Sequence, residues 1–341
     1  MGHAILIRAD GDHAIGLGHI YRMRTLAGFL AAQGHGVTFV SQPGTMGARL
    51  LADAGYAVFP APGDGTYIGV DAVAHGRPDT VVLDLLDTDA TALRALRAML
   101  PDCRIVAVDD TGAGLALADH VINAMVHAWK RYDRGQVRAV LHEGPAYTIL
   151  QDTVRAAIGR PRSPAAGRAE RVLLAFGGTD TRGLTERALR ALEGVPGPLR
   201  VRANLGPGSE PPPTLAKAAA ASPHDVTLLY ASPSLIAEML DADLVICAGG
   251  TMLCELAALG IPAAAIAAEH HEALHIDQWV AAGSARSLGR WDTLDTAAVT
   301  AALRVLIDDG AGRQDMAGHG SRIMDGRGVE RCAAIVAEGT A

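Results

Sequence analysis

The chain has 341 residues, 49% of them hydrophobic and only 4% aromatic, enough apolar material for two cores of about 150 residues each. Its 30 basic and 37 acidic side chains leave a formal charge of −7, which argues against a broad basic footprint for nucleic acid. A single phosphate ligand stays compatible with that charge, because backbone N–H groups can hold one.

Short apolar runs alternate with amphipathic stretches from the start. Strands are predicted at 4–8, 37–41, 80–84 and 104–108. A helix is expected over 19–31, where Ile20, Met23, Ala27 and Leu30 share one face, and another over 88–99, carried by Ala90, Leu93, Leu96 and Leu100. The stretch 159–170, GRPRSPAAGRAE, is rich in Pro, Gly and Arg and reads as an interdomain linker. Alternation then restarts, with strands expected at 171–176, 199–203, 226–230, 243–249 and 262–268. Helices fit at 183–193, 233–240, 250–259, 272–282, 295–308 and 322–338. The fold class is therefore α/β, with two Rossmann-like domains and a ligand cleft expected between them at the carboxyl ends of the strands. The expected division is 1–158, joined by the last helix 322–341, against 168–321.

Cys103, Cys247, Cys254 and Cys332 include no CxxC pair and are read as buried, reduced thiols. The N-terminus lacks the basic-then-apolar pattern of a signal peptide, and no run of about 18 apolar residues occurs. The expectation is a cytoplasmic chain without membrane insertion, a monomer or weak dimer.

Four strand–helix junctions can carry chemistry. In IGLGH, Gly16 and Gly18 precede a helix and permit close backbone approach to a ligand; Tyr21 breaks any dinucleotide fingerprint. His19 at that helix start is either a general base or a helix cap. Asp10, two residues past the first strand, orients His19, bonds a sugar or caps a turn, and Asp84 and Asp109 are strand-end carboxylates with the same alternatives. In FGGTDTRG, Gly177 and Gly178 offer backbone donors or form an ordinary turn, with Asp180 or Thr181 capping the next helix. In CAGGTMLCE, Gly249, Gly250 and Thr251 form a turn suited to a diphosphate, and Glu255 lies one helical turn on, placed for the hydroxyls of a ribose or else solvated. The apolar neighbours Leu253, Leu256 and Ala257 weigh against the solvated reading. The fourth stretch, AEHHEALHID, contains a formal HExxH zinc match at 271–275. It follows a strand directly instead of lying inside a long helix, so His271 and Glu272 are read as lining a ligand site; no metal is assigned, with adventitious metal binding by His271 and His275 as the alternative.

Residues 8–27, RADGDHAIGLGHIYRMRTLA, resemble the N-terminal signature of the nucleotide-sugar hydrolases of pseudaminic acid biosynthesis. Every fixed position of R-[SA]-D-x-x-x-x-I-G-x-G-H-x-x-R-x-x-x-L-A is present. VDD at 108–110, GPAYTIL at 144–150, GGTD at 177–180 and AGGTMLCE at 248–255 extend the likeness over nearly the whole chain. That family is similar to the two-domain GT-B glycosyltransferases. The resemblance implies a metal-independent, cofactor-free enzyme acting on a UDP-sugar with inversion. His19 would activate water, Gly249, Gly250 and Thr251 would hold the pyrophosphate, and Glu255 would hold the ribose. Gly16, Gly18, Arg22, Asp84, His271 and Glu272 would stand on the sugar side. Two positions depart from the family: Leu86 stands where a tyrosine is usual, and His271-Glu272 where Asn-Gln is usual. The nucleotide half is thus retained and the sugar half altered. Alternatives to hydrolysis are a GT-B glycosyltransferase with a non-water acceptor, a non-catalytic nucleotide-sugar binder and, furthest off, a zinc peptidase.

Overall fold

The computed structural model describes residues 2–338 apart from 13–14, 62–76, 86, 125–134, 136, 179, 207–211, 231 and 233. Leu86 and Thr179, within two of the stretches singled out above, lie outside the described residues. The chain divides into two compact units, residues 1–151 with 326–341, and residues 152–325. Both are α/β, and every pairing between their strands is parallel.

Unit 1 carries β1 (Ala4–Ala9), α1 (Gly18–Ala32), β2 (Gly36–Ser41), α2 (Met46–Asp53), β3 (Val58–Pro60), β4 (Thr80–Asp84), α3 (Ala90–Met99), β5 (Arg104–Val108), β6 (His120–Asn123) and β7 (Val140–Glu143). The sheet order is β3-β2-β1-β4-β5-β6-β7. Strand β1 shows why this sheet is covered on both sides. Ile5 and Ile7 point into one apolar cluster with Ile20, Met23 and Leu30 of α1, whereas Leu6 points into another with Leu93 and Leu96 of α3.

Unit 2 begins with α4 (Asp152–Arg155) and continues through β8 (Arg171–Ala175), α5 (Leu184–Glu193), β9 (Arg200–Leu205), α6 (Pro213–Ala221), β10 (Asp225–Tyr230), α7 (Ile236–Asp241), β11 (Leu244–Ala248), α8 (Met252–Ala258), β12 (Ala263–Ala267), α9 (His270–Ala281), β13 (Ala285–Arg290), α10 (Thr296–Asp308) and α11 (Gly310–Ile323). Its sheet order is β10-β9-β8-β11-β12-β13. Helix α12 (Gly328–Ala337) belongs to unit 1, where Val329, Cys332, Ala333 and Val336 join the α1 cluster. Thr80 Oγ1 donates to the Val336 carbonyl at 3.0 Å and Arg104 Nη1 to that of Ile335 at 3.0 Å, so the helix end is fastened to β4 and β5.

The stretch 322–338, expected as one helix, is broken between Ile323 and Gly328. The stretch 159–170 is irregular, as its composition implies, but it is pinned to unit 2. Arg162 donates to the carbonyls of Leu240, Ala242 and Gly260, and Ala165 N–H donates to buried Asp243. All four cysteines are buried and none is in a disulfide. Among the described residues no helix is long and apolar enough to cross a membrane.

Candidate functional site

In a parallel sheet a crevice opens where consecutive connections depart in opposite directions. In unit 1 that switch point lies between β1 and β4, and in unit 2 between β8 and β11. The residues singled out from the sequence gather at these two points.

At the unit 1 switch point, the loop after β1 turns at Gly16, whose φ of 80° is open to glycine at no steric cost and whose N–H donates to the Asp12 carbonyl at 2.9 Å. Helix α1 then starts at Gly18 and presents His19 and Arg22 on one face, three residues apart. His19 Nδ1 lies 2.6 Å from Asp84 Oδ1 at the end of β4. Asp84 is fully buried and also receives Arg22, through Nε to Oδ2 at 2.6 Å and through Nη2 to Oδ1. Arg22 Nη1 donates to Asp109 Oδ2 at 2.5 Å, just past β5. Asp109 itself sits in the left-handed region at φ 46°, with its other oxygen accepting from Ala124 N–H at 2.9 Å.

An ionised Asp84 only accepts, and at 2.6 Å it lies closer to His19 Nδ1 than the Arg22 Nη2 donor at 3.1 Å, which assigns the proton to Nδ1. Nε2 keeps its lone pair and has no partner among the described residues. Burial alone would raise the Asp84 carboxyl, but Arg22 and His19 outweigh it and hold the group well below the usual range. Burial also works against the Arg22 charge, and Asp84 and Asp109 together more than restore it. One guanidinium between two carboxylates leaves the cluster beneath His19 with a net negative formal charge.

Asp10, for which the sequence leaves orienting His19 as one of three alternatives, is turned elsewhere. It forms a two-pronged pair with Arg8, at 2.5 and 2.6 Å, and accepts from Gln42 N–H at 2.8 Å. Arg8 is wholly buried, so Asp10 neutralises a buried cation and ties the ends of β1 and β2. The carboxylate that orients His19 is Asp84.

In unit 2, Gly177 turns at φ 83°, and a Cβ built on it or on Gly178 would meet nothing within 4 Å, so both face open space. Asp180 accepts from the N–H groups of Leu184 at 2.7 Å and Thr185 at 3.0 Å, capping α5. The turn after β11 is tighter. A Cβ on Gly249 would stand 2.7 Å from Glu272 Cβ, so only glycine fits. Thr251 precedes α8 and is exposed, with no side-chain bond to the helix. Glu255 is 9% exposed and its carboxyl makes no hydrogen bond or ion pair with any described residue. Burial pushes it up to about 7.

The HEALH stretch forms the start of α9. Glu269 and Glu272 make a reciprocal capping box. Glu272 Oε2 accepts from Ala268 N–H at 2.6 Å, and more distantly from Glu269 and Gly249 at 3.3 and 3.4 Å. His275 is 1% exposed. Its Nδ1 is 2.6 Å from the Gly249 carbonyl, and Trp279 Nε1 donates to its Nε2 at 2.9 Å. A carbonyl only accepts and an indole only donates, so His275 is the neutral Nδ1–H tautomer with both nitrogens engaged. His271, by contrast, is half-buried near the start of the helix. Among the described residues no group of three or more His, Cys, Asp or Glu side chains is placed to hold one metal ion.

The sequence reading missed His275 and Trp279 as supports of the turn. The signal was present: Glu272, His275 and Trp279 are spaced i, i+3 and i+7, which puts them on one helix face. It also missed Arg182, which donates to Glu269 at 2.9 Å and stacks on Trp291 at 4.0 Å, linking the segments after β8, β12 and β13.

No family model matches the chain. It is 24% identical over 335 residues to the spore coat polysaccharide biosynthesis protein SpsG of Bacillus subtilis, covering 97% of this chain and 96% of that one. Among solved structures it resembles MurG of Acinetobacter baumannii, with a TM-score of 0.73 and 16% identity over 98% of this chain and 99% of that one. It also resembles the glycosyltransferase VinC in complex with dTDP, with a TM-score of 0.63 and 16% identity over 98% of this chain and 99% of that one. The two Rossmann-like units are thus those of the GT-B fold.

Proposed function

We propose that the chain transfers a sugar from a nucleoside diphosphate to an acceptor hydroxyl, with inversion at the anomeric carbon. Unit 2 takes the nucleotide: the Gly249–Thr251 turn, helped by Gly177 and Gly178, binds the diphosphate, and Glu255 accepts from the ribose hydroxyls. Unit 1 supplies the base. His19 Nε2 removes the proton of the attacking hydroxyl, and Asp84, backed by Arg22 and Asp109, holds the ring and stabilises the imidazolium. The C–O bond to the diphosphate breaks with its electron pair on the leaving group. Gly16 and Gly18 leave room beside His19, and His271 and Glu272 stand at the sugar end of the nucleotide site.

One observation carries this reading: a carboxyl that is nine-tenths buried, unpartnered and raised to about 7, one helical turn beyond a glycine turn. A carboxyl drawn most of the way out of water with no protein partner is a functional-site signal, and ribose hydroxyls would supply the donors it lacks. The likeness to MurG and to a dTDP-bound glycosyltransferase supports transfer as the reaction class. The likeness to SpsG supports polysaccharide building as the setting.

Hydrolysis, with water as the acceptor, is the second reading, and residues 8–27 favour it because they match the hydrolase signature at each fixed position. Incubation with UDP- and dTDP-sugars separates the two. Diphosphate release that requires an added hydroxyl acceptor supports transfer, and free sugar formed at a useful rate in water supports hydrolysis. No turnover with any donor and acceptor overturns both.

A further inference from the structure

The capping role of Glu272 uses only half of its carboxyl. Oε2 is saturated by three backbone N–H groups, those of Gly249, Ala268 and Glu269, at the ends of β11 and β12. Oε1 has no partner among the described residues, and it faces the glycine turn: a Cβ built on Gly250 would stand 3.7 Å from it. If that turn receives a diphosphate, an ionised Oε1 and the phosphate oxygens would crowd one small volume, and like charges there repel strongly. The side chain is poorly placed to escape, because leaving would strand three amides and undo the start of α9. It can instead become neutral.

We propose that Glu272 binds the departing diphosphate as a carboxylic acid, with Oε2 still on the amides of the turn and a proton on Oε1 donated in a hydrogen bond to a phosphate oxygen. The role rests on the donor reading above and deepens it. As the sugar–oxygen bond breaks, negative charge grows on the phosphate oxygens and this hydrogen bond strengthens, which makes Glu272 a catalytic residue for leaving-group departure. No covalent step is added, and the proton remains shared between Oε1 and phosphate.

The surroundings suit a carboxyl that gains a proton readily. Burial raises the Glu272 group above its ordinary value, although the amides of Ala268, Glu269 and Gly249 and nearby His271 pull the other way. From the neighbouring elements, Cys247 of β11 is kept neutral by its own burial, and Glu272 itself and Glu255 of α8 push it the same way. The charge of Glu269 is met by Arg182.

The test is calorimetric titration with UDP at pH 8, in two buffers of different ionisation enthalpy. At that pH Glu255 has already ionised, so proton linkage reports Glu272. Wild type is expected to take up close to one proton per UDP and none with uridine. Its UDP affinity should fall by up to about tenfold per pH unit between pH 8 and 9. Glu272→Gln keeps an oxygen for the amides and brings an N–H for phosphate. It should bind UDP several-fold more tightly at pH 8, without proton uptake. UDP binding by wild type with no proton uptake overturns the role of Glu272 alone, as does a Gln variant with unchanged uptake or tenfold weaker binding. Failure of UDP, CDP and dTDP all to bind wild type overturns the donor reading and this role with it. The wild-type measurements decide the matter even if the variant does not fold.

Discussion

His19 Nδ1 and Asp84 Oδ1 stand 2.6 Å apart across the β1/β4 switch point, and the carboxylate of this pair is completely out of solvent. A base whose ring is held this way delivers its other nitrogen in one orientation. Replacing His19 with Asn or Ala should lower kcat by about 10²–10⁴-fold. The UDP dissociation constant should stay within about twofold, because the residues proposed to hold the nucleotide belong to the other unit. Undiminished turnover in either variant removes His19 from the base role.

Arg22 is the only described cation bonded to both Asp84 and Asp109. Its replacement by Met removes the cation that two buried carboxylates share, and a loss of about 3–5 kcal/mol is expected in urea unfolding. The sign with pH follows from the same cluster. Burial opposes ionisation of Asp84, but Arg22 and His19 win, so the folded value lies below the unfolded one. The stabilisation is complete above about pH 4 and drains away as pH falls further. Between pH 7 and 3 the wild-type urea midpoint should drop steeply at the acid end, and that of the Met variant less so.

Glu255 predicts the opposite trend. Burial raises its carboxyl from 4.5 to about 7, so it favours the fold while protonated. That contribution is complete below about 4.5, is lost as pH rises through about 7, and amounts to about 3 kcal/mol. Glu255→Gln should therefore raise Tm at pH 8 in the absence of ligand, yet weaken uridine and UDP binding about tenfold or more. A variant that is no more stable at pH 8 than wild type contradicts the burial argument.

His275 and Glu272 hold the two backbone groups of Gly249 from one helix face. His275→Ala leaves a buried carbonyl and an indole N–H without partners, at a cost of about 1–3 kcal/mol each. Because the carbonyl belongs to the turn assigned to phosphate, UDP affinity should suffer far more than uridine affinity, and a Gln variant should recover part of the difference. Equal losses for the two ligands would mean that His275 supports the core and nothing more. Gly249→Ala, with its Cβ forced onto Glu272, should lose UDP binding outright.

The strands that carry the site were legible because β1, β4, β5, β8, β11 and β12 are apolar runs buried on two faces, and such runs announce themselves. The strands without such runs were not. Strand β13, ARSLGR, exists because it pairs with β12, and no pattern in its side chains favours it. Short β3 and the polar β7, VLHE, were missed for the same reason. At the site, His19, Asp84 and Glu255 stood out by position at strand ends and helix starts, whereas Arg22 came only with the family resemblance. Which carboxylate meets His19 did not, because Asp10 and Asp84 both end central strands and only Arg8 decides between them. Arg8 reads as one more residue of an apolar run, yet its charge, sealed inside the sheet, claims Asp10 and leaves His19 to Asp84.

Helix α12 lies at the far end of the chain from β1, yet it supplies one wall of the first apolar cluster. Unit 1 therefore cannot seal itself as it leaves the ribosome, against the usual order in which N-terminal bodies mature first. Unit 2 is contiguous and free to consolidate early, while the β1 sheet waits half-covered for the last few turns of helix. A nascent or proteolysed chain lacking residues 326–338 should keep unit 2 folded while unit 1 stays open and chaperone-prone, which makes this segment the checkpoint for completing unit 1.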